Sequence, residues 1–254
     1  MTTMETFARQ PGYEDAFGKL IVDSTTNELD IASHYPYSLE RWRLLVDGTN
    51  ASPYDARADM EVNVQRQGNC GWRGSRSIML FDTSSINDSN NIDSASIDMK
   101  IEDLQTDGGT DDFVSIVTSN PSSNTSIEAK DFDDVGDSID NPTEMHDTSE
   151  RMDYSNVSIG DVITWNFNST GLSNIDLTGI SKFGARNGHD IKDNTPSFSC
   201  DGSRQQINYY TADSSDTKPT LTVNHTSPDS PGSVLESDGS GVLVSDGSGV
   251  LKTD

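Results

Sequence analysis

The eight residues SASIDMKI at positions 94–101 alternate polar and apolar side chains without a break. In an extended chain, Ala95, Ile97, Met99 and Ile101 fall on one face, and the polar residues between them fall on the other. A period of two residues predicts a β-strand that buries one face in a core and leaves the other in water.

Seven more short runs of apolar and β-branched residues lie on either side of this strand. Turn-forming residues separate them, as in the Asp-Gly-Gly sequence at 107–109 and the Asn-Gly pair at 187–188. Such spacing is typical of an antiparallel β-sandwich or jelly roll, so we predict an all-β fold. The eight predicted strands cover residues 60–64, 77–81, 94–101, 113–118, 161–167, 182–186, 206–211 and 220–224.

The strand pattern divides the chain into three parts. Residues 1–55 lack sustained periodicity and form an N-terminal arm, an anchoring region or the first strands of the main domain. Residues 56–226 form the predicted β-sandwich jelly-roll domain, with a long surface loop over 120–156 and a short helical turn within 169–180. Residues 227–254 begin with a Pro/Ser linker, SPDSPG, and end in a repeat tail.

The repeat tail consists of two nearly identical octads, SDGSGVLV at 237–244 and SDGSGVLK at 245–252. Each octad joins a glycine-containing turn to a three-residue apolar run, which predicts a very short strand. Two such units cannot bury their apolar faces alone. We expect the octads to add to a neighbouring subunit and form a homo-oligomer; a flexible tail is the alternative.

Acidic residues dominate the charge, since 42 Asp and Glu stand against 17 Lys and Arg for a formal net charge of -25. This charge repels phosphate backbones and anionic lipids, so we expect no nucleic-acid partner and no membrane partner. Asp supplies 32 of the acids. An Asp-rich, Lys-poor surface suits strong brine, where the Debye length falls to about 3 Å, and predicts a halophilic source. An ordinary acidic secreted or viral surface protein is the alternative.

The sequence predicts a soluble protein made in a cytoplasm. Its first twenty residues carry charges throughout, which argues against a secretory signal peptide, and no run reaches the roughly 18 apolar residues of a membrane span. The two cysteines, Cys70 and Cys200, lack metal-ligand spacing. They form either a disulfide across a long loop or two buried thiols.

Residue types that carry catalysis or bind metals occur without the spacing that these functions need. His34, His146, His189 and His225 form no HxH or HxxxH pair, and no nucleophile motif lies between a strand and a helix. We therefore expect no enzyme, no catalytic residue, no metal and no cofactor. The densest acidic cluster suits a hydrated surface loop, and a loosely calcium-like site is the alternative. Its members are Asp131, Asp133, Asp134, Asp137 and Asp140.

Two tryptophans of the middle part differ in their sequence surroundings. Trp165 alternates with Ile163 and Phe167, as a core residue of a strand does. Trp72 follows Cys70 in the glycine-rich sequence NCGWRG, which predicts a loop or edge position. An exposed indole stacks on sugar rings, so Trp72 is the candidate glycan contact.

Four stretches of the middle part follow one another in a specific order. They are SRSIMLFDTSSINDSNNIDSASIDMKI, FVSIVTSNPSSNTSI, ITWNFNSTGLSNIDLTGISKFGARNGHDI and YYTADSSDTKPTLTVNH. In this order they resemble a β-sandwich domain of tailed-virus structural proteins, and they are similar also to DNRLRE-type modules of surface proteins. The resemblance covers about residues 55–226. It implies a jelly-roll-like fold on the outside of a virion, with no catalytic residues to carry over.

Charge, strand pattern and resemblance together predict a non-enzymatic structural protein on the surface of a haloarchaeal tailed virus. A capsid turret or decoration spike is favoured over a tail fibre, because the chain lacks the heptads of a coiled-coil shaft. A tail-fibre or spike adhesin that binds a host surface glycan is the first alternative, and a carbohydrate-binding module is the second. The expected partners are further copies of the chain and other virion proteins.

Overall fold

The structure is a computed structural model. It describes residues 60–125, 128, 130–211, 214 and 217–227 with their side chains, and positions 59 and 129 by their backbone alone. Towards both ends it describes the backbone of short strands alone. These are β1 (Tyr13–Glu14), β2 (Lys19–Asp23), β3 (Leu29–Tyr35), β4 (Ala51–Tyr54), β14 (Leu235–Ser237) and β15 (Leu243–Ser245).

The main domain is built from antiparallel strands, which confirms the predicted all-β fold. Each of the eight predicted strands is present, most of them longer than predicted, and β9 is an addition that the sequence did not indicate. The strands are β5 (Asp59–Arg66), β6 (Trp72–Asp82), β7 (Asn91–Thr106), β8 (Phe113–Thr118), β9 (Met152–Asp153), β10 (Val162–Asn166), β11 (Ile180–Asn187), β12 (Arg204–Tyr210) and β13 (Thr220–Thr226).

Short helical turns connect some of these strands. The turn predicted within 169–180 is helix α1 (Ser169–Ser173), whose first N–H groups are capped by the side chain of Asn168. A second one-turn helix, α2 (Gly188–Ile191), follows β11 directly. Three 3₁₀ turns lie at Ala129–Phe132, Thr148–Glu150 and Tyr154–Asn156. Within the described residues, no helix is long and apolar enough to cross a membrane.

The long strand β7 belongs to both layers of the sandwich. Its first half lies between β13 and β10, and β2 and β1 continue that layer beyond β13. Its second half pairs with β12, which leads through β5, β6 and β11 to β8 and β9 in the other layer. One continuous strand therefore holds the two layers in register.

The main core lies between the two layers. Trp165 on β10 is fully buried, as predicted, and its ring meets that of Tyr209 on β12 edge-on at 6.2 Å. Phe167 and Phe183 pack at 4.9 Å across the same interface. The alternating face predicted for β7 is also buried here; its members are Ala95, Ile97, Met99 and Ile101.

A second, smaller core covers the outer face of β6, β8 and β11. It forms because residues of the predicted surface loop over 120–156 fold back onto the sheet and bury Phe132 and Val135 against Ile78 and Leu80. Gly184 on β11 makes room for this contact, since a Cβ there would overlap a methyl group of Val135. The loop thus covers the sheet instead of lying wholly in solvent.

A buried ion triad fastens this loop to the sheet. Asp190 on α2 accepts hydrogen bonds from both Arg76 and Arg186, at 2.7–3.0 Å. Each arginine also donates to loop carbonyls: Arg76 to Phe132, and Arg186 to Val135, Ser138 and Ile139. All three charged side chains are more than nine-tenths buried.

The pKa values of the triad follow from burial and charge. Burial alone would raise the pKa of Asp190, but the charges and hydrogen bonds of Arg186 and Arg76 outweigh it and lower the pKa to about 2. Burial and the charge of Arg76 lower the pKa of Arg186 to about 10. Asp190 and Arg186 are therefore both charged near neutral pH, and Asp190 stabilises the fold least in strong acid.

The N-terminal and C-terminal parts relate differently to the sandwich. Strand β2 pairs with β13 and strand β3 pairs with β6, so these stretches of residues 1–55 extend the two layers. Strands β14 and β15 of the tail pair with each other in a separate two-stranded sheet. Apart from strands β1–β4, β14 and β15 and residue 227, the residues of both parts lie outside the described residues.

We expect Asp190→Asn to destabilise the domain by about 3–5 kcal/mol, because it leaves two buried arginines without their counter-charge. Urea unfolding at neutral pH and constant salt, followed by tryptophan fluorescence, measures this. The acid sensitivity should change too: Asp190 contributes stability above about pH 4 that is lost as the pH falls towards its folded pKa of about 2. The exposed Asp88→Asn is the control and should stay within about 0.5 kcal/mol of the wild type. Equal stabilities would contradict the role given to the triad.

Candidate functional site: a polar depression beside the disulfide

Trp72, the predicted glycan contact, does not lie in an exposed loop. It is the first residue of β6 and is 1% exposed. The guanidinium carbon of Arg66 lies 4.7 Å from the centre of its ring, and the ring of Phe198 lies at 6.4 Å. The expected loop or edge exposure is therefore wrong, because strand pairing and these two neighbours cover the indole. A sugar would have to displace one of them to stack on it.

The acidic cluster is tied to the protein at two of its members. Asp131 is fully buried and accepts hydrogen bonds from the backbone and hydroxyl of Ser122 and from the backbone of Glu128. Asp137 binds the backbone and hydroxyl of Thr143, and these bonds outweigh burial and lower its pKa. In the part of the chain that the structure describes, no three metal-ligating side chains come together. These carboxylates hold the loop's shape.

A serine, a histidine and a glutamate meet at a place that the sequence did not indicate. The hydroxyl of Ser115 on β8 lies 2.5 Å from Glu144 and 2.9 Å from Nε2 of His146. Arg151 pairs with Glu144, and its charge and hydrogen bond, with the bond from Ser115, outweigh burial and lower the pKa of that carboxyl group. The composition resembles a hydrolytic triad, so its proton positions decide what it can do.

The hydrogen bonds of His146 fix those positions. The backbone N–H of Ile116 donates to Nε2 at 3.0 Å, so Nε2 carries no proton and Nδ1 donates to the carbonyl of Asp147 at 2.9 Å. The hydroxyl of Ser115 then donates its hydrogen bond to Glu144, and this hydroxyl is fully buried. With Nε2 already bonded and no route for a substrate to the hydroxyl, this arrangement joins β8 to the loop that follows it.

The disulfide between Cys70 and Cys200 joins two loops that are 130 residues apart in sequence. It settles the alternative that the sequence left open in favour of a bonded pair. Next to it, the N–H of Arg66 donates to the carbonyl of Ser203 at 2.8 Å, and the N–H of Gly202 donates to the carbonyl of Arg66 at 3.0 Å. The covalent bond and these backbone bonds fix the end of β5 against the turn that precedes β12.

A shallow polar depression of about 560 Å³ opens beside this turn, where β7 ends and β12 begins. Asp107 accepts the backbone N–H of Arg204 at 2.7 Å, and Asp201 accepts both the backbone and the hydroxyl of Ser203. Both aspartates lie in turns with glycine, and both are exposed. The lining residues are Leu104, Gln105, Thr106, Asp107, Asp201, Gly202, Ser203 and Arg204.

The depression presents polar atoms that the protein does not use. Among the described residues, Asp107 and Asp201 each form these bonds through one carboxylate oxygen, which leaves the second oxygen open. Arg204 donates through Nε and Nη1 to Gly202 and Gln206 and forms no ion pair with any residue that the structure describes. Two acceptors and a guanidinium donor at one exposed place match the neighbouring hydroxyl groups of a sugar.

Sequence reasoning missed the depression because its residues are ordinary turn formers. Asp-Gly sequences at 107–108 and 201–202 predict turns, and nothing in either turn predicts that the fold brings the two together. The detectable signal was Cys200, since a disulfide to Cys70 places the turn that follows it beside the end of β5. Trp72, the predicted glycan contact, lies beneath Arg66, whose backbone borders the same turn.

Comparison with known proteins does not identify the function of this site. The chain matches no protein-family model, and no curated protein is significantly similar to it. We therefore infer the function of the depression and of the rest of the surface from their chemistry.

We expect the double variant Cys70→Ser, Cys200→Ser to lose about 5 kcal/mol of stability in the chain-entropy model of a loop of this length. Chemical denaturation of the oxidised wild type and of the variant measures the difference. A reducing agent should lower the stability of the wild type towards that of the variant and leave the variant itself unchanged. A wild type that is insensitive to reduction would show that the disulfide contributes little.

Proposed function

We propose that this protein is a non-enzymatic structural protein exposed on the surface of a virion, as a capsid turret or decoration spike. The observation that carries the proposal is the Cys70–Cys200 disulfide. Structural disulfides persist in oxidising surroundings and on virion surfaces, and are rare in reducing cytoplasm. A chain made in the host cytoplasm and then carried on a released particle meets this condition.

The acidic surface supports an outer location in strong brine. Exposed acids occur on strand β7 and on several turns, and Asp88, Asp93, Asp107 and Asp201 are examples. At a net charge of -25 these carboxylates repel one another in dilute buffer, and molar salt screens the repulsion. The halophilic source predicted from composition is part of this proposal.

The separate tail sheet supports a homo-oligomer. Strands β14 and β15 have three residues each and pair only with each other in this sheet. A hairpin of this size is marginal in water, so a partner surface stabilises it. Repeated sites on a virion impose cyclic symmetry, and a closed ring of copies satisfies it.

The depression favours a second function, that of an adhesin which binds a host surface glycan. Its open carboxylate oxygens and the guanidinium of Arg204 suit neutral sugar hydroxyls, because the two aspartates and one arginine carry a net negative charge that disfavours an anion. This site replaces Trp72 as the predicted point of contact. The adhesin and the structural role are compatible on a surface-exposed protein.

Antibodies raised against the folded domain distinguish the locations. We expect them to decorate the capsids of intact tailed particles, from cultures that produce this chain, in electron micrographs. Antibody pre-absorbed with the purified protein is the control and should remove the label. Decoration of the tails would transfer the proposal to a fibre or spike, and unlabelled particles would refute a place on the virion surface.

We expect Asp107→Asn to weaken glycan binding at least about tenfold, since it replaces the open acceptor oxygen by an NH₂ donor and removes a bond to a charged group. The asparagine oxygen can still accept the N–H of Arg204, so the turn is preserved. A glycan array with neutral hexose oligosaccharides compares this variant with the wild type and with Asp88→Asn. Binding that both variants retain in full would exclude the depression, and a wild type that binds nothing would exclude the adhesin.

A further inference from the structure

Strand β10 has one open edge. Among the strands that the structure describes it pairs with β7 alone, in a register that places Val162 opposite Lys100. The N–H of Phe167 donates to the carbonyl of Ala95, and the carbonyl of Asp161 accepts from β7 in the same way. In an antiparallel ladder, bonded and outward-facing residues alternate, so every second residue between these two positions directs its peptide groups away from the partner strand.

The peptide groups that face outward belong to residues 162, 164 and 166. The N–H of Asn166 is covered by the carboxylate of Glu150 at 2.8 Å. Those of Val162 and Thr164 form no hydrogen bond with any other described residue. The open edge, defined here as residues 162–164, is therefore long enough for a strand of about three residues.

Apolar side chains accompany the open edge. Val162 is 52% exposed and Ile159, just before it, is 61% exposed. Among the large hydrophobic side chains that the structure describes, only Ile139 is also exposed. Proteins usually guard edge strands with lysine, proline or a bulge, and the sequence VITWN of β10 contains neither lysine nor proline. An edge with apolar flanks and no such guard suits a partner strand.

The tail supplies a strand of matching length and character. Strand β15 spans three residues, Leu243–Ser245, and its octad contributes a Val-Leu-Val run. Its pairing with β14 leaves its other edge to a further strand. The two octads carry only two acids in sixteen residues, so they approach the domain with little of the repulsion that the rest of the chain would meet.

We infer that β15 of one copy adds to the open edge of β10 in a neighbouring copy. In the described part of one chain, the tail strands form a sheet of their own and β10 pairs with β7 alone, so both edges can accept a strand of a second copy. Strand addition turns the two-stranded tail hairpin into an extension of the neighbour's layer and covers Val162. This inference rests on the homo-oligomer proposed above and names its contact.

Two variants that each add one cysteine to the native disulfide pair, Thr164→Cys and Val244→Cys, test the contact. Mixed and oxidised mildly in molar salt, they should form a covalent dimer at twice the chain mass of 27.6 kDa. Ser89→Cys, in an exposed turn, replaces Thr164→Cys in the control mixture and should give none. Equal cross-linking in both mixtures, or none in either, would overturn the inference.

Thr164→Pro provides the second measurement. It removes an outward N–H and leaves the backbone bonds between β10 and β7 intact, and edge strands tolerate proline at such positions. It also removes the hydrogen bond from the Thr164 hydroxyl to Asp98 on β7, so the control variant must lose that bond as well. Self-association, measured by sedimentation in molar salt, should weaken at least about tenfold, the effect of losing one stabilising bond. Thr164→Val keeps the N–H, loses the same hydroxyl bond to Asp98 and should associate as the wild type does. Oligomers unaffected by Thr164→Pro would place the contact elsewhere, whereas a monomeric wild type at every salt concentration would refute the homo-oligomer itself.

Discussion

The carboxylate of Asp190 is out of reach of water, and two arginines from different parts of the chain hold its charge. Taking these ions out of water costs more free energy than any single contact returns, so the arrangement is stable only when every donor is used. Arg76 and Arg186 use theirs on the carboxylate and on four backbone carbonyls of one loop. That requirement fixes the loop, the second core beneath it and the position of α2 together.

The sequence alone was sufficient to predict the strands, but it was insufficient to predict the contacts that join them. Alternation over 94–101 predicted a strand with one buried face, and the structure has it. The same reasoning assigns charged residues within strands to the solvent face, which is why Arg76 and Arg186 gave no signal as core residues. Their partner lies 114 residues from Arg76, and no local pattern encodes that distance. The prediction for Trp72 was wrong for a similar reason. Its glycine-rich surroundings predicted a loop, whereas long-range strand pairing buries it.

Strand β7 also orders the functional surfaces along the molecule. Its first residue lies beside Thr226, where the chain leaves for the tail, its middle pairs with β10, and its end borders the depression. At about 3.3 Å per residue, its sixteen residues span about 50 Å. The tail therefore leaves the domain at one end of this strand, the open edge of β10 lies near its middle, and the polar site that suits a glycan lies at the other end. A protein attached to a particle by its tail would present the depression outward.

The place of β13 between β2 and β7 determines how the domain resists a pull on its tail. Hydrogen bonds in an antiparallel ladder lie perpendicular to the strands, so tension that enters at residue 227 acts along β13 and shears its bonds to both neighbours together. Such a strand yields only when many bonds fail at once, not one after another. Should β13 detach, the Cys70–Cys200 bond still prevents the segment between those residues from extending. Against a pull on the tail, β13 and the covalent bond would therefore limit unravelling in succession.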